Sequence, residues 1–165
     1  MQRRKILVVY QSMTDGTRQM ASAFVKGASA SGDVTVNVKL AKETVAQDIR
    51  RSDAYVFATP EYLGSMGGLM KDLFDRTYYD LLGQLEGRPY AALICAGNDG
   101  RGAAQQLMRI LTGWRLKPIS EPLIVNVDAQ TPMAISTKKR LSTEQIESCH
   151  ELGLLMSNGL EMGIF

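Results

Sequence analysis

The chain has 165 residues, 45% of them hydrophobic and 22% charged, with a formal net charge of +2. That length and balance fit one globular domain with a sizeable core, since single domains peak near ~100–150 residues, and exclude a disordered or fibrous chain. A charge this near neutral leaves no nucleic-acid footprint, which needs basic residues clustered on one face. Lys138-Lys139-Arg140 reads as a solvated loop beside a helix start.

The basic opening Met1-Gln2-Arg3-Arg4-Lys5 precedes an apolar stretch that ends at Tyr10. That stretch is short of the ~7–15 residues of a signal-peptide core, and no small-residue cleavage site follows. No window approaches the ~18 apolar residues of a membrane span. Cys95 and Cys149 are far apart and form no metal-ligand pair. These features predict a cytoplasmic, reduced setting, with neither membrane nor nucleic acid as partner.

In chain order, strand signals fall at Lys5–Tyr10, Val34–Leu40, Ala54–Thr59, Tyr90–Ala96 and Pro122–Val127. Helical periodicity places Met20, Phe24 and Ala28 on one face of Thr17–Ala30. It does the same for Met66, Met70, Leu73 and Phe74 in Met66–Leu82, and for Ala103, Leu107, Ile110 and Trp114 in Gly102–Trp114. Glu43–Arg51 reads as a short helix. Ser142–Met162 is the last, with Ser142 three residues before Gln145 in a capping-box spacing. No repeat or Pro/Gly-rich linker divides the chain, so residues 1–165 read as a single domain. Strand–helix alternation throughout predicts right-handed βαβ units and a parallel sheet with helices on both faces.

Ligands of such sheets bind beyond the carboxyl ends of the strands. After the first strand, Gln11-Ser12-Met13-Thr14-Asp15-Gly16-Thr17 sets hydroxyls at a helix N-terminus, where unpartnered amides and the helix dipole favour an anion. It lacks the lysine of a nucleoside-triphosphate loop and the G-x-G-x-x-G of a dinucleotide fold, so one terminal phosphate monoester suits it best. After the third strand, Pro60 holds Thr59 extended and predicts a sharp exit. Gly64, Gly67 and Gly68 admit close approach of a flat ligand, and Tyr62 can lie against a ring. After the fourth strand, Arg101 opens a helix on the ligand side, where its guanidinium can offer paired donors. His150, Cys95 and Cys149 read as structural. No nucleophile stands with a base and an orienting acid.

S-M-T-D-G-T-R-Q-M-A, starting at Ser12, resembles the phosphate loop of the flavodoxins. T-P-E-Y-L-G-S-M-G-G-L-M-K-D-L-F-D, Thr59 to Asp75, is similar to a segment of the NAD(P)H:quinone oxidoreductases. Its P-E-Y opening resembles that of the NAD(P)H-dependent FMN reductases. The resemblance implies a flavodoxin-like α/β fold: a doubly wound five-stranded parallel sheet in the order 2-1-3-4-5. It implies non-covalent FMN, with Ser12, Met13, Thr14, Asp15, Gly16 and Thr17 holding the phosphate, Asp15 only through its backbone N–H. Pro60, Glu61, Tyr62, Leu63 and Gly64 would run beside the isoalloxazine. Ala96, Gly97, Asn98, Gly100, Arg101 and Gly102 would border its pyrimidine side.

The expected function is an FMN-dependent oxidoreductase that takes hydride from NADH or NADPH and passes electrons to a quinone, a flavin or a similar acceptor. No side-chain acid or base is required, because the flavin carries the chemistry. The alternative is a flavodoxin-type electron carrier without nicotinamide chemistry of its own. A receiver domain is excluded, since it needs an aspartate where Thr59 stands and an acidic pair where Gln11 and Ser12 stand. The choice of nicotinamide and of acceptor stays open, as does a homodimer or tetramer.

Overall fold

The run Ile6-Leu7-Val8-Val9 is buried on both sides, and it forms the middle of β1 (Arg4–Tyr10). A computed structural model describes residues 3–165; Met1 and Gln2, the start of the basic opening, lie outside the described residues. β1 is flanked in parallel by β2 (Val34–Leu40) and β3 (Ala54–Tyr62), with Val8 level with both Val38 and Val56. β3 pairs in turn with β5 (Pro89–Ala96). The short β6 (Lys117–Pro118) and β7 (Leu123–Asn126) both pair with β5. Counting β6 and β7 as one interrupted strand, this is the expected parallel order 2-1-3-4-5.

Two details differ from the sequence reading. The fifth strand is broken rather than continuous over Pro122–Val127, because Pro118 and Pro122 lack the N–H that a ladder needs; at a sheet edge such a break is tolerated. Pro60 does not end the third strand either. β3 runs through it to Tyr62 and folds back as a hairpin onto β4 (Ser65–Met66). β1 stops pairing with β3 at Ala58, so Pro60 lies beyond that neighbour.

Among the described residues six helices cover the sheet: α1 (Gly16–Ala28), α2 (Ala46–Arg50), α3 (Gly68–Leu81), α4 (Arg101–Gly113), α5 (Pro132–Ser136) and α6 (Thr143–Glu161). Alternation along β1 sends Leu7 and Val9 to one face and Ile6 and Val8 to the other. The first face packs on Met70, Leu73 and Phe74 of α3 and Leu107 and Leu111 of α4. The second packs on Met20 and Phe24 of α1 and Cys149, Leu152 and Met156 of α6. α1 and α6 approach so closely that a Cβ on Gly27 would stand 2.0 Å from the His150 carbonyl oxygen, and one on Gly153 2.2 Å from that of Phe24.

Ser142 and Gln145 form the expected capping box at the start of α6. The helix expected over Glu43–Arg51 is instead a 3-10 turn at Ala41–Glu43 followed by α2; Thr44 and Val45 between them are extended, and Asp48 accepts from the Val45 amide at 3.0 Å. α5 is absent from the sequence reading. It is five residues long, with Thr131 capping it and Pro132 at its first position. None of the described helices is long and apolar enough to cross a membrane.

Candidate functional site

A cavity of about 420 Å³ opens beyond the carboxyl ends of β1, β3 and β5, where a doubly wound sheet presents its ligands. Its wall includes Ser12, Met13, Thr14, Gly16 and Thr17 from the first loop, Pro60 to Gly64 from the hairpin, and Ala96, Gly97 and Asn98 after β5. Those predicted residues are therefore brought together. Asp15, Gly100, Arg101 and Gly102 are not on this wall. Val127, Ala129, Ile135 and Cys95 are on it, although the sequence reading did not place them there, and so is Lys139.

The first loop is held from below. Gln11 turns inward and accepts from the Met70 amide at 3.1 Å; Gly67 makes room, since a Cβ there would lie 2.3 Å from Gln11 Oε1. Gly67 thus serves chain packing and not approach of a ligand. Ser12 Oγ accepts from the Arg18 amide at 3.2 Å. Asp15, at φ 74°, occupies the N-cap position of α1, yet its side chain caps nothing. Its carboxylate instead bonds Arg18 Nε and lies 3.6 Å from Lys138 Nζ, and the Arg18 hydrogen bond holds it below the usual carboxylate range. Thr17 is buried, beside Cys95. The loop therefore shows the crevice hydroxyls and the positive end of α1, with its carboxylate already compensated.

Beneath the loop, Cys95 Sγ would stand 2.5 Å from a Cβ on Gly16. Burial pushes the Cys95 thiol up to about 11 and that of Cys149 to about 12, so both stay protonated near neutral pH and neither is a nucleophile.

At the hairpin, Glu61 pairs with Met66 and Tyr62 with Ser65, leaving Leu63 and Gly64 as a two-residue turn at φ 52° and 74°. Positive φ at both positions is the requirement of a type I′ turn. For leucine the left-handed conformation costs roughly 1–2 kcal/mol, and Leu63 is also fully exposed. The hairpin is fastened to α4. Glu61 Oε1 accepts from the Gly100 amide at 2.9 Å and Oε2 from the Ala103 amide at 3.0 Å. Gln106 Oε1 accepts from Ser65 Oγ at 2.7 Å and from the Met66 amide at 3.0 Å. A Cβ on Gly102 would meet the Gly64 carbonyl oxygen at 2.2 Å. Burial raises the pKa of the Tyr62 phenol.

Of the expected border residues after β5, Gly100, Arg101 and Gly102 have other work. Gly100, at φ 94°, and Gly102 let the chain pass close to Ile124 and to Gly64. Arg101 is exposed and bonds Asp99 at 2.7 Å, so its guanidinium is not offered to the crevice.

A fourth wall follows β7. Lys139 donates its backbone N–H to the Thr14 carbonyl at 2.7 Å and its ammonium to the carbonyls of Ala134, Ile135 and Thr137 at 2.5–2.8 Å. Gln19 joins in, donating to the Lys139 carbonyl at 2.9 Å and accepting from the Leu141 amide at 3.2 Å. This clasp seats α5 over the first loop and turns Ile135 toward the cavity. The Thr131-Pro132 cap and a lysine run after the last strand are the sequence signals that could have found it. His150 lies elsewhere, beside a groove between α1 and α6. Among the described residues no cluster of three or more metal-ligating side chains exists.

Comparison with known proteins agrees with this architecture. Residues 29–130 match the family described as NADPH-dependent FMN reductase. A flavodoxin of Aquifex aeolicus is 27% identical over 90% of this chain and 83% of its own length. An NAD(P)H-dependent FMN reductase of Pseudomonas aeruginosa is 35% identical over 54% of this chain and 50% of its own. Among solved structures, a flavodoxin from the Archaea superposes with a TM-score of 0.76 at 18% identity, over 95% of this chain and 99% of that one.

Proposed function

The chain belongs to the NADPH-dependent FMN reductase family, an oxidoreductase family that binds FMN with NAD(P)H as electron donor, and we propose that its crevice is the FMN site. One observation carries this reading: the hydroxyl-bearing N-terminus of α1, the β3–β4 hairpin and the turn after β5 share a single cavity of about 420 Å³. One end offers helix amides and hydroxyls to a phosphate, and the rest offers backbone and apolar side chains to a ring.

In this reading Ser12, Thr14 and Thr17, with the amides of the loop, hold the phosphate. The aliphatic stem of Lys139 passes beside Gly16 while its ammonium is held on the carbonyls of Ala134, Ile135 and Thr137. Pro60, Tyr62 and Gly64, with Ala96, Gly97 and Asn98, would border the ring. FMN, when bound, supplies the capacity to accept hydride and release electrons.

The chain's own residues bind and orient; they transfer no proton. Both oxygens of Glu61 are committed to the α4 amides. Tyr62 and Cys95 are shifted toward their protonated forms, and Lys139 is held by carbonyls. NADH or NADPH would be the hydride donor and a quinone or similar molecule the acceptor, both entering by the mouth of the cavity.

The test is anaerobic mixing of FMN-loaded protein with excess NADPH and, separately, NADH. Bleaching of the flavin within minutes is expected. A flavin reduced by dithionite but by neither nicotinamide would favour a second reading, an electron carrier. What favours that alternative is the flavodoxin relative, which matches nearly the whole chain where the reductase relative matches about half.

A further inference from the structure

A second cavity, of about 390 Å³, shares the wall of Ser12, Met13 and Thr14 with the crevice. It lies beyond the ends of β1 and β2, where the half-buried Tyr10 and Leu40 are the last residues of their strands. Asp15, Arg18 and Lys138 supply its charged side, and none of the three lines the crevice.

Charge in this second cavity does not balance. Arg18 and Lys138 have one carboxylate between them, that of Asp15. Arg18 reaches it through Nε, and among the described residues neither Nη of its guanidinium has a partner. Lys138 Nζ stands 3.6 Å from the carboxylate, too far for a hydrogen bond. The cavity therefore offers a forked donor and an ammonium together with a phenol ring and an aliphatic side chain. A guanidinium fork suits the oxygens of a phosphate, and an aromatic wall suits the flat face of a nucleobase.

We propose that this second cavity is a subsite for a phosphorylated adenosine, with Arg18 and Lys138 as the residues that read its phosphate. The proposal rests on the crevice being the FMN site, because the shared loop sets the subsite beside the flavin phosphate. Two molecules would carry such a group there. One is NADPH, whose 2′-phosphate sits on its adenosine end; the pair then sets the preference for NADPH over NADH. The other is FAD, whose adenylate is joined directly to the flavin phosphate; the pair then widens the flavin that the first loop accepts. The subsite binds and orients, and no bond is made or broken in it.

The experiment is calorimetric titration of 2′,5′-ADP and 5′-AMP into the FMN-loaded protein. The parent is compared with Lys138→Gln and with Arg18→Gln/Asp15→Asn, a double change that removes a cation together with its carboxylate and keeps the net charge of the loop. Binding is expected in the parent and should be about tenfold weaker in each variant, the effect of one lost charge-assisted bond. If NADPH is the source, the affinity ratio of NADP+ to NAD+ falls about tenfold with it. If FAD is the source, the affinity of the flavin-free protein for FAD falls about tenfold while that for FMN holds. A parent that binds neither adenosine phosphate overturns the subsite, and so do variants in which both ratios stay unchanged. An equal loss of FMN affinity in the variants also overturns it, since Arg18 and Lys138 would then be contacts of the flavin phosphate. A parent that binds 2′,5′-ADP but takes up no FMN overturns the crevice reading and leaves the subsite standing.

Discussion

Two helices begin near the crevice, α1 at Gly16 and α4 at Arg101, and their N-termini are treated in opposite ways. At α4 the Glu61 carboxylate, delivered from the hairpin, takes the Gly100 and Ala103 amides. At α1 the adjacent carboxylate, Asp15, is drawn off by Arg18 and Lys138, and hydroxyls of Ser12, Thr14 and Thr17 surround the helix end. Both ends have the same backbone electrostatics. One is filled by the protein's own anion and serves as an anchor, while the other is the end we propose for the phosphate of FMN. The comparison separates a structural from a ligand-binding helix terminus by asking where the nearest carboxylate points.

The strongest way to break this comparison is to dislodge the anchored end. Gly102→Ala puts a methyl group 2.2 Å from the Gly64 carbonyl oxygen, which is backbone and cannot swing aside. Overpacking of this kind costs ~1–3 kcal/mol. Because it displaces the hairpin, we expect FMN uptake to be lost as well, measured by equilibrium dialysis alongside urea unfolding. Next comes the receiving end. Thr14→Val with Thr17→Val should weaken FMN by roughly 1–3 kcal/mol per lost charge-assisted bond, with riboflavin affinity hardly changed. Equal FMN affinity in parent and double variant would remove the phosphate from α1.

Glu61→Gln leaves a single acceptor where the Gly100 and Ala103 amides each need one. Stability should drop by ~1–3 kcal/mol, the cost of a donor left unpaired, with the FMN-to-riboflavin preference intact. If that preference shifts instead, α4 takes part in anion binding and the contrast between the two ends dissolves. The smallest effect concerns Asp15. Its carboxyl is held below the usual range by Arg18, so its stabilising contribution is present above the ordinary carboxylate pKa and disappears as pH falls through the lowered one. Acid titration of the melting temperature should show a shallower slope in Asp15→Asn than in the parent.

Much of this arrangement is legible before folding. The apolar run Ile6–Val9 announces a strand covered on both faces, and Ser142 with Gln145 announces the start of α6, because both signals are local. The three loops that build most of the cavity follow from the rule that ligands gather at the carboxyl ends of parallel strands. The role of Glu61 does not follow, because its partners Gly100 and Ala103 are distant in sequence and become neighbours only once β3 and β5 pair. Gly102 misleads for a related reason: a glycine that lets chain meet chain looks the same in sequence as one that lets a ligand approach. α5 is too short to show a helical period, and the clasp made by Lys139 depends on carbonyls that any residue could supply. Strand interruption at Pro118 and Pro122 was written in the sequence, and it reads correctly once the edge position is known.

The central claim is tested most directly by a crystal structure of the protein with FMN bound. The account predicts the phosphate against residues 12–17 at the start of α1, with the ring against residues 60–64. A phosphate seated elsewhere, or a ring lying away from the hairpin, would contradict it.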